Sequence, residues 1–332
     1  MTDVPTQFVG TLILCSDGTV LARDLDAARW WRLAPDATGS YVHGHWSAGP
    51  PPADTFRLDS NSVAPLRSGS FISVGDVARE DSDDSFRVIA GPAELSNVGV
   101  TVWRDQPVVD RWSGIAATTC SLPAGGIIAA PFVGPPPVAS DGFLWQWSEG
   151  GGWSVVGELP DEIPVLASLT LMPDGSVLTL GPANEYRYQS HAWETGTAHG
   201  LRSDDSVGVV SGPVCLLADG RVLAIDHLGG MALRTPDGRW SPGGQLPDRD
   251  GLPPYVYAGS ACLLPAGRVL IGVEYSREMD GLIYTHFHYY EWSPVDGSIT
   301  DVGVLRRTRR HPRSPWVRMS AGCSFFPTAP FS

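Results

Sequence analysis

The chain has 332 residues, a net charge of −13, 38 glycines and 29 prolines. That length is enough for a large core within one all-β domain, and the Gly and Pro content suits many short strands and turns. All 23 basic residues are Arg, and the acidic balance argues against general nucleic-acid binding, which needs basic surface.

No run approaches the roughly 18 apolar residues of a membrane helix. The opening "MTDVPTQFVGTLILCSDG" lacks a basic n-region and a small-residue cleavage site, so no signal peptide is expected. The expected setting is cytoplasmic or virion-associated, with no membrane partner. "VGPPPVASDG" (133–142) is too short for a linker, so residues 1–332 read as one domain.

In chain order, the first element is an apolar hairpin, "LILCSDGTVLARD" (12–24), and the sequence then repeats it. The echoes are "SVAPLRSGSFISVGD" (62–76), "TTCSLPAGGIIAA" (118–130), "LTLMPDGSVLTLG" (169–181), "PVCLLADGRVLAID" (213–226) and "SACLLPAGRVLIG" (260–272). Their turn glycines are Gly18, Gly69, Gly125, Gly175, Gly220 and Gly267, spaced by 51, 56, 50, 45 and 47 residues. Such a period over a whole chain marks a propeller or array. Asp-Gly supplies the positive φ of a tight turn, and strands apolar on both faces fit sheets covered on both sides.

After each hairpin comes an aromatic or apolar third strand, such as "RWWRLAPD" (29–36), "FLWQWSEG" (143–150), "MALRTPDG" (231–238) or "HYYEWSPVDG" (288–297). A fourth strand follows, often opened by Trp: Trp46, Trp153, Trp240. The fold predicted is a β-propeller of six four-stranded blades, seven being the alternative. The segment "VRMSAGCSFF" (317–326) is expected to close the ring as a C-terminal strand. Cys120, Cys215 and Cys262 each lie five residues before a turn glycine, so they are expected as free thiols on inner strands.

These hairpins resemble kelch repeats of the galactose oxidase-like propellers. "WWRLAPDATGSYVHGHWSAGP" (30–50) resembles the first blade of bacterial and phage kelch-repeat proteins. For the copper radical oxidases of this fold, the resemblance implies a Tyr-His pair ligating copper ten residues before a hairpin glycine. Tyr257 stands there, before Gly267, but the next residue is Ala258, whose methyl has no lone pair for a metal. The expectation is therefore no cofactor, no metal site and no catalytic residue.

Other motifs are read as surface. His286 and His288 alternate along a strand, as do His43 and His45, without a third metal ligand nearby in sequence. The acidic loop with Glu80, Asp81, Asp83 and Asp84 lacks the ordered spacing of a calcium loop. The basic stretch Arg306–Arg318 is read as a solvated loop paired with the protein's own acids. No Ser-His-Asp motif or phosphate loop is present.

The function expected is a non-catalytic interaction or structural module with protein partners or self-assembly, such as a phage tail or capsid decoration. The alternative from another class is a glycan-binding module using rim aromatics: Tyr186, Tyr188, His227, Tyr255, Tyr257 and Tyr275. A third is an enzyme with an altered oxidase centre or rim carboxylates.

Overall fold

A computed structural model of the chain describes residues 9–15, 17–24, 29–41, 44–49, 62–65, 71–79, 87–95, 103–105, 116–123, 125–132, 142–148, 151–163, 168–204, 209–256, 260–279, 282–305 and 311–312. Among the described residues the regular elements are strands. The first sheet holds β1 (Val9–Leu14), β2 (Val20–Asp24), β3 (Arg29–Ala34) and β4 (His45–Ala48). The second holds β5 (Ser62–Pro65), β6 (Phe71–Arg79), β7 (Arg87–Leu95) and β8 (Trp103–Asp105). The third holds β9 (Ala116–Ser121), β10 (Ile127–Phe132), β11 (Phe143–Ser148) and β12 (Gly152–Glu158). Next come β13 (Thr170–Leu171), β14 (Val177–Leu180), β15 (Asn184–Gln189) and β16 (Ala192–Ala198). They are followed by β17 (Val214–Leu216), β18 (Val222–Ile225), β19 (Gly230–Arg234) and β20 (Trp240–Gln245). The last sheet holds β21 (Ala261–Leu263), β22 (Val269–Met279), β23 (Leu282–Trp292), β24 (Ile299–Leu305) and β25 (His311–Pro312).

Each sheet is an antiparallel meander, and its first strand is innermost. Contacts run from β1 to β5, β9, β13, β17 and β21 in turn, and β21 returns to β1. This is a closed β-propeller. The expectation of six four-stranded blades, or seven, needs correction: among the described residues five sheets have four strands and the last has five. Its cause is the long β22–β23 hairpin, which outruns β24. The uncovered part of β23 pairs Leu282 with Pro312 and Ile283 with His311 of β25. Within Arg306–Arg318, expected as a solvated loop, His311–Pro312 is strand and the rest lies outside the described residues, as do 317–326, His43 and the acidic loop.

The repeated hairpin turn has one construction. Gly18 N–H donates to Cys15 O and Cys15 N–H to Thr19 O; the same pair of bonds recurs at Leu122–Gly126, Met172–Ser176, Leu217–Arg221 and Leu264–Arg268. The turn glycine has positive φ each time, +79° at Gly18 and +83° at Gly220, and in the third sheet Gly126 joins Gly125 in that region. The turn is thus a three-residue loop ending in a left-handed glycine, and the Asp serves otherwise. Asp17, Asp174 and Asp219 each accept the N–H two residues on.

The core lies in the seams between neighbouring sheets, and strand alternation fills it. Along β18, Leu223 and Ile225 pack toward β21–β25, whereas Val222 and Ala224 pack toward β13–β16. Along β10, Ile127 and Ala129 turn to Ala64 while Ile128 and Ala130 turn to Tyr186 and Tyr188. Period-two placement onto two covered faces explains the unbroken apolar runs. Fully burying a side chain such as Leu223 or Ile271 stabilises the fold by about 1.5–3 kcal/mol.

Candidate functional site: a pocket between two sheets

A cavity of about 340 Å³ opens between the β17–β20 and β21–β25 sheets, lined by Gln245, Pro247, Asp248, Arg249, Tyr290, Ile299 and Asp301. It lies at the small end of ligand-pocket sizes. Local backbone features aim its charged groups. Arg249 precedes a two-residue turn in which Asp250 and Gly251 both have positive φ, +53° and +76°. Arg249 and Leu252 exchange backbone hydrogen bonds across that turn. Asp-Gly is the sequence this turn favours. Asp301 sits at a β-bulge: Tyr289 pairs with Gly303 and Tyr290 with Asp301, leaving Val302 as the extra residue. Bulges redirect side chains, and Gly303 N–H then donates to Asp301 Oδ1 at 2.9 Å.

Behind the mouth runs a chain of hydrogen bonds with a fixed direction. Tyr275 O–H donates to Pro247 O at 2.7 Å and lies 3.1 Å from the Tyr290 hydroxyl. A phenol has one proton, so Tyr290 must donate to Tyr275. Beside Tyr290, Arg249 pairs with Asp301 Oδ2. Asp301 and Tyr290 hold the guanidinium firmly charged. Burial opposes ionisation of Asp301, but the bonds from Arg249 and Gly303 outweigh it and leave the carboxyl below its ordinary range. Burial, reinforced by the bond to Tyr290, pushes the Tyr275 hydroxyl well up.

His288 backs this cluster. Its ring lies 5.4 Å from Tyr275, edge-on, and 6.2 Å from Tyr290, stacked. Nδ1 is 4.0 Å from Asp301 Oδ2 and has no hydrogen-bond partner. Burial first, then the Arg249 charge, pushes its pKa down to about 4, so the ring is neutral at neutral pH. The reading of His286 and His288 as a surface pair is corrected here, because His288 is 3% exposed within the seam.

The rim aromatics are not one group. Tyr186 and Tyr188 are packed in the seam between β9–β12 and β13–β16, Tyr188 donating to Val156 O and meeting the Trp193 ring at 5.1 Å. Tyr275 is fully buried behind the pocket. His227 and Tyr255 do meet, with ring centres 6.0 Å apart, because Val256 N–H donates to His227 O. Tyr257 and Ala258 lie outside the described residues. Sequence reasoning missed Gln245, Asp248, Arg249 and Asp301; the Asp250-Gly251 turn was the sole local signal. Among the described residues no three His, Cys, Asp or Glu side chains converge as metal ligands.

No family model matches the chain, kelch repeats included, and no curated protein matches it. Solved propellers do. A catalytically inactive virginiamycin B lyase from Staphylococcus aureus with quinupristin is 11% identical, with a TM-score of 0.52, over 91% of this chain and 85% of that one. A fungal alcohol oxidase of the AA5 family in complex with copper is 15% identical, with a TM-score of 0.54, over 93% of this chain and 66% of that one. At these identities the likeness shows the fold, an all-β propeller, and fold does not fix function.

Proposed function

We propose that this chain is a non-catalytic binding module whose contact point is the pocket between the β17–β20 and β21–β25 sheets. The observation that carries this reading is the directed chain from Tyr290 through Tyr275 to Pro247 O, with Arg249 held on Asp301 at the mouth. It holds half-exposed polar groups in one arrangement before any ligand arrives, which lowers the cost of binding. It also commits the protons. An ionised Asp301, a charged Arg249 and a protonated Tyr275 suit fixed recognition better than proton transfer near neutral pH.

A fragment screen read by protein NMR tests the proposal. Fragments should shift Ile299 and Tyr290 signals, and Asp248→Arg, which fills the mouth, should abolish those shifts. Screening without any shift at the pocket would overturn the reading. Turnover of alcohols, aldehydes or lactones by the purified chain that Asp301→Asn abolishes would overturn its non-catalytic part. A virion or larger assembly is the setting suggested by the first blade's resemblance to phage kelch-repeat proteins. Mass spectrometry of purified virions that finds the chain absent removes that setting and leaves the pocket.

A further inference from the structure

We infer that the pocket takes a neutral polyhydroxylated ligand, a saccharide. This rests on the binding reading above and names the ligand's chemistry. The first argument is charge. Asp248 and Asp301 stand against Arg249, so a free anion meets a surplus of carboxylate. Asp301 is already neutralised by Arg249, so a cation gains the attraction of Asp248 alone. Neither ion is well matched.

The second argument is hydrogen-bond inventory. A hydroxyl donates one bond and accepts others, whereas a carboxylate only accepts and a guanidinium only donates. The mouth sets these types side by side: Asp248, Arg249, Asp301 and Gln245 line one opening. Asp301 accepts from Arg249 and Gly303, which leaves lone pairs over. Gln245 Nε2 is fixed on Leu228 O at 2.7 Å, which turns its amide carbonyl into a held acceptor. Adjacent hydroxyls on a sugar ring can satisfy such a carboxylate and guanidinium together.

The third argument is the remaining surface. Ile299 is half-buried against the seam and offers an apolar patch to the C–H face of a ring. Tyr290 is buried with its hydroxyl on Tyr275, so it walls the pocket and does not stack on the ligand. Behind Asp301, His288 Nδ1 is buried without a hydrogen-bond partner, 4.0 Å from Asp301 Oδ2, a polar atom the protein itself leaves unsatisfied.

The test is saturation-transfer NMR and calorimetry on the full chain. Probes are methyl glycosides of mannose, galactose and glucose and maltotriose, with glucose 6-phosphate and glucosamine as charged counterparts. At least one neutral probe should bind at millimolar Kd, more tightly than its charged counterpart. Asp248→Ala and Arg249→Ala should each weaken it about tenfold or more, as expected for losing a charge-assisted hydrogen bond. Tighter binding of the charged counterparts, no neutral binding at tens of millimolar, or affinities unchanged in both variants would overturn the inference. Fragments that still shift Ile299 when no neutral sugar binds would sink the saccharide alone and leave the pocket. Silence from both libraries would remove both.

Discussion

Glu185 and Arg234 clasp each other across the seam between β13–β16 and β17–β20, Nε to Oε2 at 2.5 Å and Nη2 to Oε1 at 3.0 Å. Their side chains are 3% and 5% exposed, and Trp240 Nε1 donates to the same Glu185 Oε2 at 2.8 Å. A pair this buried is worth little over an apolar replacement, but breaking it strands a charge. Arg234→Met should therefore lose about 3–5 kcal/mol. Replacing Glu185 and Arg234 together should recover part of that loss, the rest being the orphaned Trp240 N–H. Urea denaturation of the single and double variants decides; a loss under about 1 kcal/mol in Arg234→Met would show that water reaches the pair.

The turn glycines separate strain from crowding. At Gly267, with φ +79°, an added Cβ would meet no heavy atom within 4 Å. Gly267→Val should cost about 1–3 kcal/mol by backbone strain alone, and Gly267→Asn clearly less, because Asn tolerates this conformation. At Gly212 the added Cβ would lie 1.9 Å from Ile225 O, so Gly212→Ala should be the worse substitution. Ser190 and His191 are the reverse case, a two-residue hairpin turn with φ +52° and +64° on non-glycine residues. Ser190→Asn with His191→Gly should raise stability by about 1 kcal/mol. Thermal melts of these four variants check the order.

Acid should weaken the fold through its neutral histidines. Burial lowers the pKa of His199 as well as His288, the latter to about 4 from an ordinary 6.5. Below pH 6.5 the unfolded chain takes up protons that the folded chain refuses. Their contribution is therefore complete above that pH and is lost as pH falls toward 4, by at most about 1.4 kcal/mol per pH unit per group. Asp301, whose pKa is lowered, adds loss only beneath the ordinary carboxylate range. The urea midpoint should fall between pH 7 and 4.5, and less steeply in His288→Phe. An identical slope in that variant would place His288 in water.

The thiols should be silent until the chain unfolds. Cys15, Cys120, Cys215 and Cys262 are all free, and burial pushes Cys120 and Cys215 up to about 12. Cys15 and Cys262 are raised by burial too. Since the thiolate is the reactive form, a chromogenic disulfide at pH 8 should leave these four unreacted in the native protein and titrate them in denaturant. Rapid native reaction at Cys120 or Cys262 would mean that the inner strands are open.

The repeat was legible because each blade spells its first turn with a glycine that the backbone requires. The matching positions of Cys120, Cys215 and Cys262, opposite Ile128, Leu223 and Leu270, follow from that register. The side of each strand was not legible. In β15 the step from Glu185 to Tyr186 moves a side chain from one seam to the other. Both seams are covered, so no polar face marks the difference, and Tyr186 and Tyr188 read as rim residues although they are core. The pocket was hidden for another reason. Arg249 and Asp301 meet through a connector turn and a bulge, and neither device leaves a repeated mark in the sequence.

The ring has one clasp. Between every other pair of neighbouring sheets the backbone crosses, and such a tether keeps parted surfaces at high effective concentration. The sheets β1–β4 and β21–β25 stand at opposite ends of the series. Leu12, Trp31, Leu33 and Tyr41 pack there against Cys262, Leu264, Leu270 and Tyr289. No described sheet takes strands from both ends. A breach at any other seam is pulled shut by the chain; among the described residues no strand ties this one. Under heat or tension the circle should give way at this joint and uncoil as an open spiral of intact blades.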